Sequence, residues 1–383
     1  MNNVDILEYE KLMQVYANDF RNIGLIIDCY PEKIYEYLGE ESLNILSRMM
    51  IPAPYNDSPV IINNNKYFGL TCLERVIAAE WLAYGDVGVL LASPGPSLSG
   101  IIINDLASEE HKDKYYSKLI NKPTWTFFAL SEPNKGSDAN LMETNLLKTS
   151  ADQYILNGEK YFIGNGSRGE IGVVFARSNQ GPLGIDMVLV EKEMEGFTTE
   201  TIDTLGLRGA ELSHLSFKDC LINNNQIIGQ HIRPFQRGMT GIINTFNKMR
   251  PSVAAMALGV SRAIYDYILD NRTSFTLEEK MKLEGFKFKI ITTQRLIRQA
   301  AISIDSNPKL GYKASISKIN AASLVKSLSQ ESLVMLGEGA LYEHPLLNKW
   351  FRDSFGFEFM EGTSNIQKLN LFQSYMQGKV SYV

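Results

Sequence analysis

The spacing of apolar residues changes period twice along this chain, which restricts it to a fold that joins helical layers to a sheet. From Val4 to about Asn121 apolar residues recur at helical spacing, as in Leu73, Val76, Ile77, Trp81 and Tyr84. Loops interrupt the run at Pro52-Ala-Pro54, Asn63-Asn-Asn65 and Pro94-Gly-Pro96. From about Thr124 to Gln236 short segments rich in aromatic and β-branched residues take over: Trp125–Leu130, Tyr154–Leu156, Lys160–Ile163, Ile171–Ala176, Met187–Val190 and Leu215–Phe217. Asn157-Gly158, between two of them, predicts a two-residue hairpin turn, because both residues tolerate positive φ. After Pro234 the helical period returns and predicts helices over Pro251–Asn271, Leu277–Asp305 and Tyr312–Leu341. The chain has 383 residues, and at roughly 150 residues per domain it divides into two or three units. The expected units are a helical domain over 1–123, a β domain over 124–235 and a helical bundle over 236–383.

Composition narrows the function. The 38 Lys+Arg stand against 43 Asp+Glu, a formal net charge of -5, so no general attraction to nucleic acid or anionic lipid is expected. No stretch reaches the ~18–20 uncharged apolar residues of a membrane span. Cys29, Cys72 and Cys220 form no C-x-x-C pair, and His111, His214, His231 and His344 are scattered, so neither a disulfide framework nor a structural zinc site is expected. Met1 to Phe20 lack a basic start before an uninterrupted apolar core. The expected location is therefore cytoplasmic and reducing.

Four segments carry candidate chemistry. Gly164-Asn-Gly166-Ser-Arg-Gly169 matches G-x-G-x-x-G, but a strand pattern follows it where a dinucleotide fold requires a helix, so a glycine-rich strand connection is the better reading. Ser315-Ile-Ser-Lys318 matches S-x-x-K inside a helical run without companion motifs, which reads as chance. In Phe127–Asp138 a strand ends at Leu130 and a polar turn begins at Ser131, with Pro133, Gly136 and Ser137 following. Such an exit offers unobstructed backbone N–H groups to a flat ligand edge or a phosphate, or is an ordinary strand-to-loop transition. In Phe351–Gln367, Glu361 follows an aromatic run and precedes Gly362. A carboxylate held among apolar side chains becomes a stronger base. The alternative is a solvated glutamate at a helix start.

Taken together, these segments resemble the acyl-CoA dehydrogenase family of FAD flavoproteins over nearly the whole chain. The matching stretches are Ala107-Ser-Glu-Glu-His-Lys112, Ala129-Leu-Ser-Glu-Pro133 with Gly136-Ser-Asp138, Tyr154-Ile-Leu-Asn-Gly-Glu-Lys160, Leu205-Gly-Leu-Arg-Gly-Ala210, Arg250-Pro-Ser-Val-Ala-Ala255, Arg272–Phe275, Arg352-Asp353, and Glu361-Gly-Thr-Ser364 with Ile366-Gln367. The resemblance implies an α+β multidomain fold with an N-terminal α-helical domain, a middle β-barrel-like domain and a C-terminal four-helix bundle. It implies α,β-dehydrogenation of an acyl thioester, carried by coenzyme A or a carrier protein. Glu361 matches the base that takes the α-proton while the β-hydrogen leaves as hydride to flavin N5. The thioester oxygen is then held by the Glu361 N–H and a ribityl hydroxyl of FAD. Family members that place the base just before the Arg-Pro segment would have it at Met249, so Glu361 has no rival. Phe128, Leu130, Ser131, Gly136, Ser137, Phe162, Ile163, Gly164, Arg272, Phe275, Gly337, Thr363 and Asn365 match FAD-binding positions. Arg272 and Phe275 belong to the part supplied across a subunit boundary. Ser137, Asn247, Met249, Arg250 and Gly362 match substrate-contacting positions. The implied partners are an electron-transfer flavoprotein, or oxygen, as electron acceptor, and further copies of the chain in a homodimer or homotetramer.

The chain departs from the family pattern at several of these positions. Gly164 stands where a Thr or Ser hydroxyl usually reaches N5, and Phe162 replaces a Trp. Gly337-Glu-Gly339 replaces a Gly-Gly pair, and Val334 replaces a nearby Gln. Asn247 replaces an acidic residue, and Met360 replaces an aromatic one. Two other readings follow. A flavin monooxygenase of the same fold is disfavoured by Glu361, and a non-catalytic binding or assembly partner draws on the missing hydroxyl at Gly164.

Overall fold

The computed structural model describes residues 1–181 and 183–380. Helix α1 (Asn3–Cys29) begins where the Asn2 side chain accepts the Asp5 N–H, and it buries Tyr9, Met13, Phe20 and Ile27 along one stripe. After α2 (Glu41–Arg48), strands β1 (Val60–Ile62) and β2 (Asn65–Tyr67) form a hairpin. Its turn residues Asn63 and Asn64 have φ of 49° and 65°. The asparagine run expected as a loop is thus a tight turn, since Asn enters the left-handed region at little cost. Helices α3 (Cys72–Ala92), α4 (Ser97–Leu106) and α5 (Glu109–Asn121) follow.

Eight strands make the next layer: β3 (Thr126–Ala129), β4 (Asn145–Lys148), β5 (Gln153–Ile163), β6 (Ile171–Arg177), β7 (Ile185–Glu191), β8 (Phe197–Thr201), β9 (Ser213–Asn223) and β10 (Ile227–Ile228). Their order is β10-β7-β6-β4-β5-β9-β8, with β3 parallel to β6, and among the described residues the sheet does not close into a barrel. Strand β6 is buried on both faces, which is why it reads as a continuous apolar run. The hairpin expected at Asn157-Gly158 is absent. Both residues lie inside β5, at a bulge against β9 where Asn157 exchanges hydrogen bonds with Asp219. Gly158 has φ 138°, and a Cβ there would come within 2.6 Å of the Thr144 backbone. The Asn-Gly pair serves close approach and a bulge rather than chain reversal.

The chain then returns to helices: α6 (Met239–Asn271), α7 (Leu277–Ser306), α8 (Gly311–Leu336), α9 (Ala340–Glu343), α10 (Pro345–Phe359) and α11 (Ser364–Met376). Pro251, expected at a helix start, lies inside α6. Helix α8 stops at Leu336 before Gly337 (φ 97°), short of the expected Leu341. Ala254, Ala257 and Leu258 of α6 and Ala321 and Val325 of α8 share one apolar core with Val76, Ala79 and Ala83 of α3. Helices α3 and α6 approach so closely that a Cβ at Gly259 would lie 2.1 Å from the Glu80 carbonyl oxygen.

One charged cluster is sealed in this core. Helix α3 breaks at Asp86 (φ -159°, ψ 121°), whose side chain caps the Val89 N–H at 2.9 Å. Lys349 of α10 lies 2.9 Å from Asp86 and 2.7 Å from Asp353, and all three are fully buried. Asp353 also accepts the Leu207 N–H at 2.6 Å, which ties the loop before β9 to α10. Although burial alone would lower it, the Lys349 pKa is raised by Asp353 and Asp86.

Candidate active site

The turn between α10 and α11 is built from two consecutive left-handed residues, Glu361 (φ 52°) and Gly362 (φ 97°). A Cβ at Gly362 would come within 2.7 Å of the Gln367 amide, so glycine is required there on space as well as conformation. Thr363 closes the turn by capping α11, its side chain accepting the Ile366 N–H. The carbonyls of the turn are gripped from three helices. Glu361 O accepts from Gln367 Nε2 at 3.1 Å and from Arg250 Nε at 3.4 Å. Gly362 O accepts from Lys318 Nζ at 2.9 Å, and the same ammonium donates to Glu358 O at 2.8 Å. Glu358 itself is spent on Ser364, whose N–H and hydroxyl it accepts at 2.8 and 2.6 Å.

The Glu361 side chain is different. Its Oε2 is buried and has no hydrogen-bond partner among the described residues. Burial pushes its pKa up to about 8, against the pull of Arg250, Lys318 and Arg75. Those three cations are themselves buried, and they spend their hydrogen bonds on backbone carbonyls and on Asn247 rather than on the carboxylate. A carboxyl in this setting is poised to exchange a proton near neutral pH.

A second group of the expected residues gathers where β3 leaves the sheet. The side chains of Leu130 and Ile163 are packed in the core, and the Phe128 ring packs on Phe175 and Phe246. Leu130 and Ile163 can therefore meet a ligand through backbone alone. Ser131 O accepts the Tyr161 N–H at 2.8 Å, which holds the β3 exit beside the end of β5. Beneath it, buried Lys160 donates to Leu130 O and to Glu132 at 3.0 Å each, and Glu132 accepts the Glu143 and Thr144 N–H groups. Phe162 has φ 59° and is 59% exposed at a register shift in β5. Gly164 is also exposed, and a Cβ there would meet only Ala210 O, at 4.0 Å. A Cβ at Gly136 would meet nothing within 4 Å beyond its chain neighbours, and Ser137 beside it is exposed. An uncovered aromatic face next to bare backbone suits a flat ring system, so these residues fit a bound flavin.

The third group lies elsewhere. Arg272 donates to Met335 O at 2.5 Å and to Glu279 at 3.0 Å, with its guanidinium 5.0 Å above the Phe275 ring and Gly337 two residues beyond Met335. Lys318 and Met335 are 17 residues apart on α8, so this cluster sits about 25 Å from the Glu361 turn at 1.5 Å per residue. Asn247 spends Oδ1 on Arg250 and Nδ2 on Pro308. Met249 is half-buried beside them, and Asn365 is exposed on the first turn of α11.

Comparison with known proteins agrees with this architecture. The profile of the acyl-CoA dehydrogenase middle domain matches residues 127–220, and that of the acyl-CoA dehydrogenase C-terminal domain matches residues 236–376. The human mitochondrial short-chain specific acyl-CoA dehydrogenase is 30% identical over 327 residues, 80% of this chain and 77% of the relative. The chain belongs to the acyl-CoA dehydrogenase family. A short-chain specific acyl-CoA dehydrogenase of Clostridium acetobutylicum is 28% identical over 78% of this chain and 80% of its own length. The solved butyryl-CoA dehydrogenase of Megasphaera elsdenii superposes with a TM-score of 0.84 at 24% identity, covering 98% of this chain and 99% of that one. As an acyl-CoA dehydrogenase-family protein it is an FAD-dependent oxidoreductase acting on CH–CH donors. Among its described residues no helix is long and apolar enough to cross a membrane.

Sequence reading alone missed four members of the Glu361 turn. Gln367 lies in a matching stretch but had no role, and Arg75, next to Glu74 in a helical run, was not singled out. Ser315 and Lys318 make up the S-x-x-K match set aside as chance. Both are buried on one face of α8, and Ser315 Oγ donates to Gln367 Oε1 at 2.8 Å.

Proposed function

We propose that this protein dehydrogenates the Cα–Cβ bond of a short acyl thioester, with Glu361 taking the α-proton. The observation that carries the proposal is the buried, unpartnered Oε2 of Glu361 held among three buried cations. Bound FAD supplies the hydride acceptor. As the α-proton leaves, negative charge develops on the thioester oxygen, and donors aimed at that oxygen stabilise it. Among the described residues nothing accepts a hydrogen bond from the Glu361 N–H, which leaves it available as one such donor. The cations beside the turn, Arg250 above all, favour the enolate-like charge over the neutral substrate. Short-chain acyl-CoA and butyryl-CoA in the names of the relatives support a short acyl group. The distance from Arg272 and Phe275 to Glu361 supports a flavin site completed by a second copy of the chain. Electrons would leave to an electron-transfer flavoprotein or to oxygen.

The purified, flavin-loaded protein is expected to be yellow and to bleach anaerobically on addition of butyryl-CoA or another short acyl thioester. A flavin that stays oxidised with every coenzyme A and carrier-protein thioester in a panel would overturn the reading. Since only ionised Glu361 accepts a proton, the bleaching rate in stopped flow is expected to rise with pH and level off above about 8. A rate that is flat from pH 6 to 9 would place the base elsewhere.

A further inference from the structure

We propose that Lys318 is a positioning residue for the base, clamping the backbone on both sides of Glu361 and holding a positive charge beside its carboxylate. The inference rests on the dehydrogenase reading only for its rate readout. Lys318 is 1% exposed, and its ammonium donates to Glu358 O at 2.8 Å and Gly362 O at 2.9 Å, so one cation bridges the end of α10 and the left-handed turn. A lysine buried without a carboxylate in hydrogen-bond contact is costly, and a neutral donor would serve carbonyls as well. What the charge adds is its field at Glu361. Ser315, one turn earlier on α8, completes the clamp without charge by orienting Gln367 toward Glu361 O.

The groups facing Glu361 are Arg250 of α6, Lys318 of α8, and Arg75 and Cys72 of α3; Glu358 on its own segment is bound to Ser364. Lys318 is faced by Glu358, Arg250 and Glu361, and burial brings its pKa down to about 8. Two interacting groups that titrate in one range give values belonging to the pair, so a probe of the carboxyl itself is needed.

The test is a pH titration of the Glu361 carboxylic C=O stretch by infrared difference spectroscopy on the FAD-loaded protein, with Glu361→Gln identifying the band. Lys318→Gln keeps a donor for the carbonyls and removes the charge. It is expected to raise the midpoint by about one pH unit or more, a tenfold or larger change in proton affinity. The stopped-flow limb is expected to move up with it. Ser315→Ala, which changes no charge, is expected to leave the midpoint in place. A folded Lys318→Gln protein with an unmoved midpoint would overturn the proposal. So would an equal shift in Ser315→Ala, or a Lys318→Gln chain that cannot fold, which would assign the residue to stability alone. A wild-type protein that never bleaches would overturn the dehydrogenase reading and leave the infrared result standing.

Discussion

Glu361→Gln is expected to retain its flavin spectrum and lose about 10²–10⁴-fold in the rate of anaerobic bleaching by an acyl thioester, the range that a positioned base contributes. Glutamine fills the same space but accepts no proton. Stability is expected to move the other way. In the folded chain Glu361 holds its proton up to about pH 8, whereas unfolded it releases it near 4.5. Between those values the native state binds more protons than the unfolded one, so wild-type stability falls as pH rises. Glutamine removes that slope. The gain of the variant in thermal midpoint should therefore grow from about pH 4.5 to 8 and then level off, as read by melting at several pH values. A variant that bleaches at the wild-type rate would exclude Glu361 as the base. One equally stable at pH 5 and pH 8 would mean that the carboxylate is solvated.

The second large effect belongs to the sealed triad. Lys349→Met leaves the carboxylates of Asp86 and Asp353 buried without their cation, and breaking a buried pair in this way costs about 3–5 kcal/mol. Urea unfolding should show that loss. Adding Asp86→Asn and Asp353→Asn should recover most of it, because asparagine still accepts the Val89 and Leu207 N–H groups while carrying no charge. Unchanged stability in Lys349→Met would mean that water reaches the cluster.

The broad order of elements was legible because period is a local property: helix, strand and helix each imprint their own spacing. Features that depend on partners distant in sequence were not. Asn157-Gly158 has every local mark of a chain reversal, and only the approach of Thr144 and Asp219 turns it into a bulge. Pro251 suggests a helix start, yet α6 runs through it. In the site, Glu361 stood out by its aromatic neighbours and the glycine after it. Lys160 was legible only as part of a strand and a matching stretch, and Lys318 only as the end of a chance S-x-x-K match, because nothing near them in sequence announces that Glu132, or a pair of carbonyls, waits in the interior. The Arg272 group could be matched by motif, but its separation from Glu361 emerges only when α8 is laid out along its length.

The left-handed backbone at position 361 has a consequence for stability. An L-residue bears a conformational penalty there that glycine escapes, and an acidic one adds the cost of keeping its proton well above the pH at which it would release it in water. Folding and turnover thus pull this position in opposite directions. Glycine at this position is expected to relieve both burdens at once and to raise the melting temperature while abolishing the chemistry.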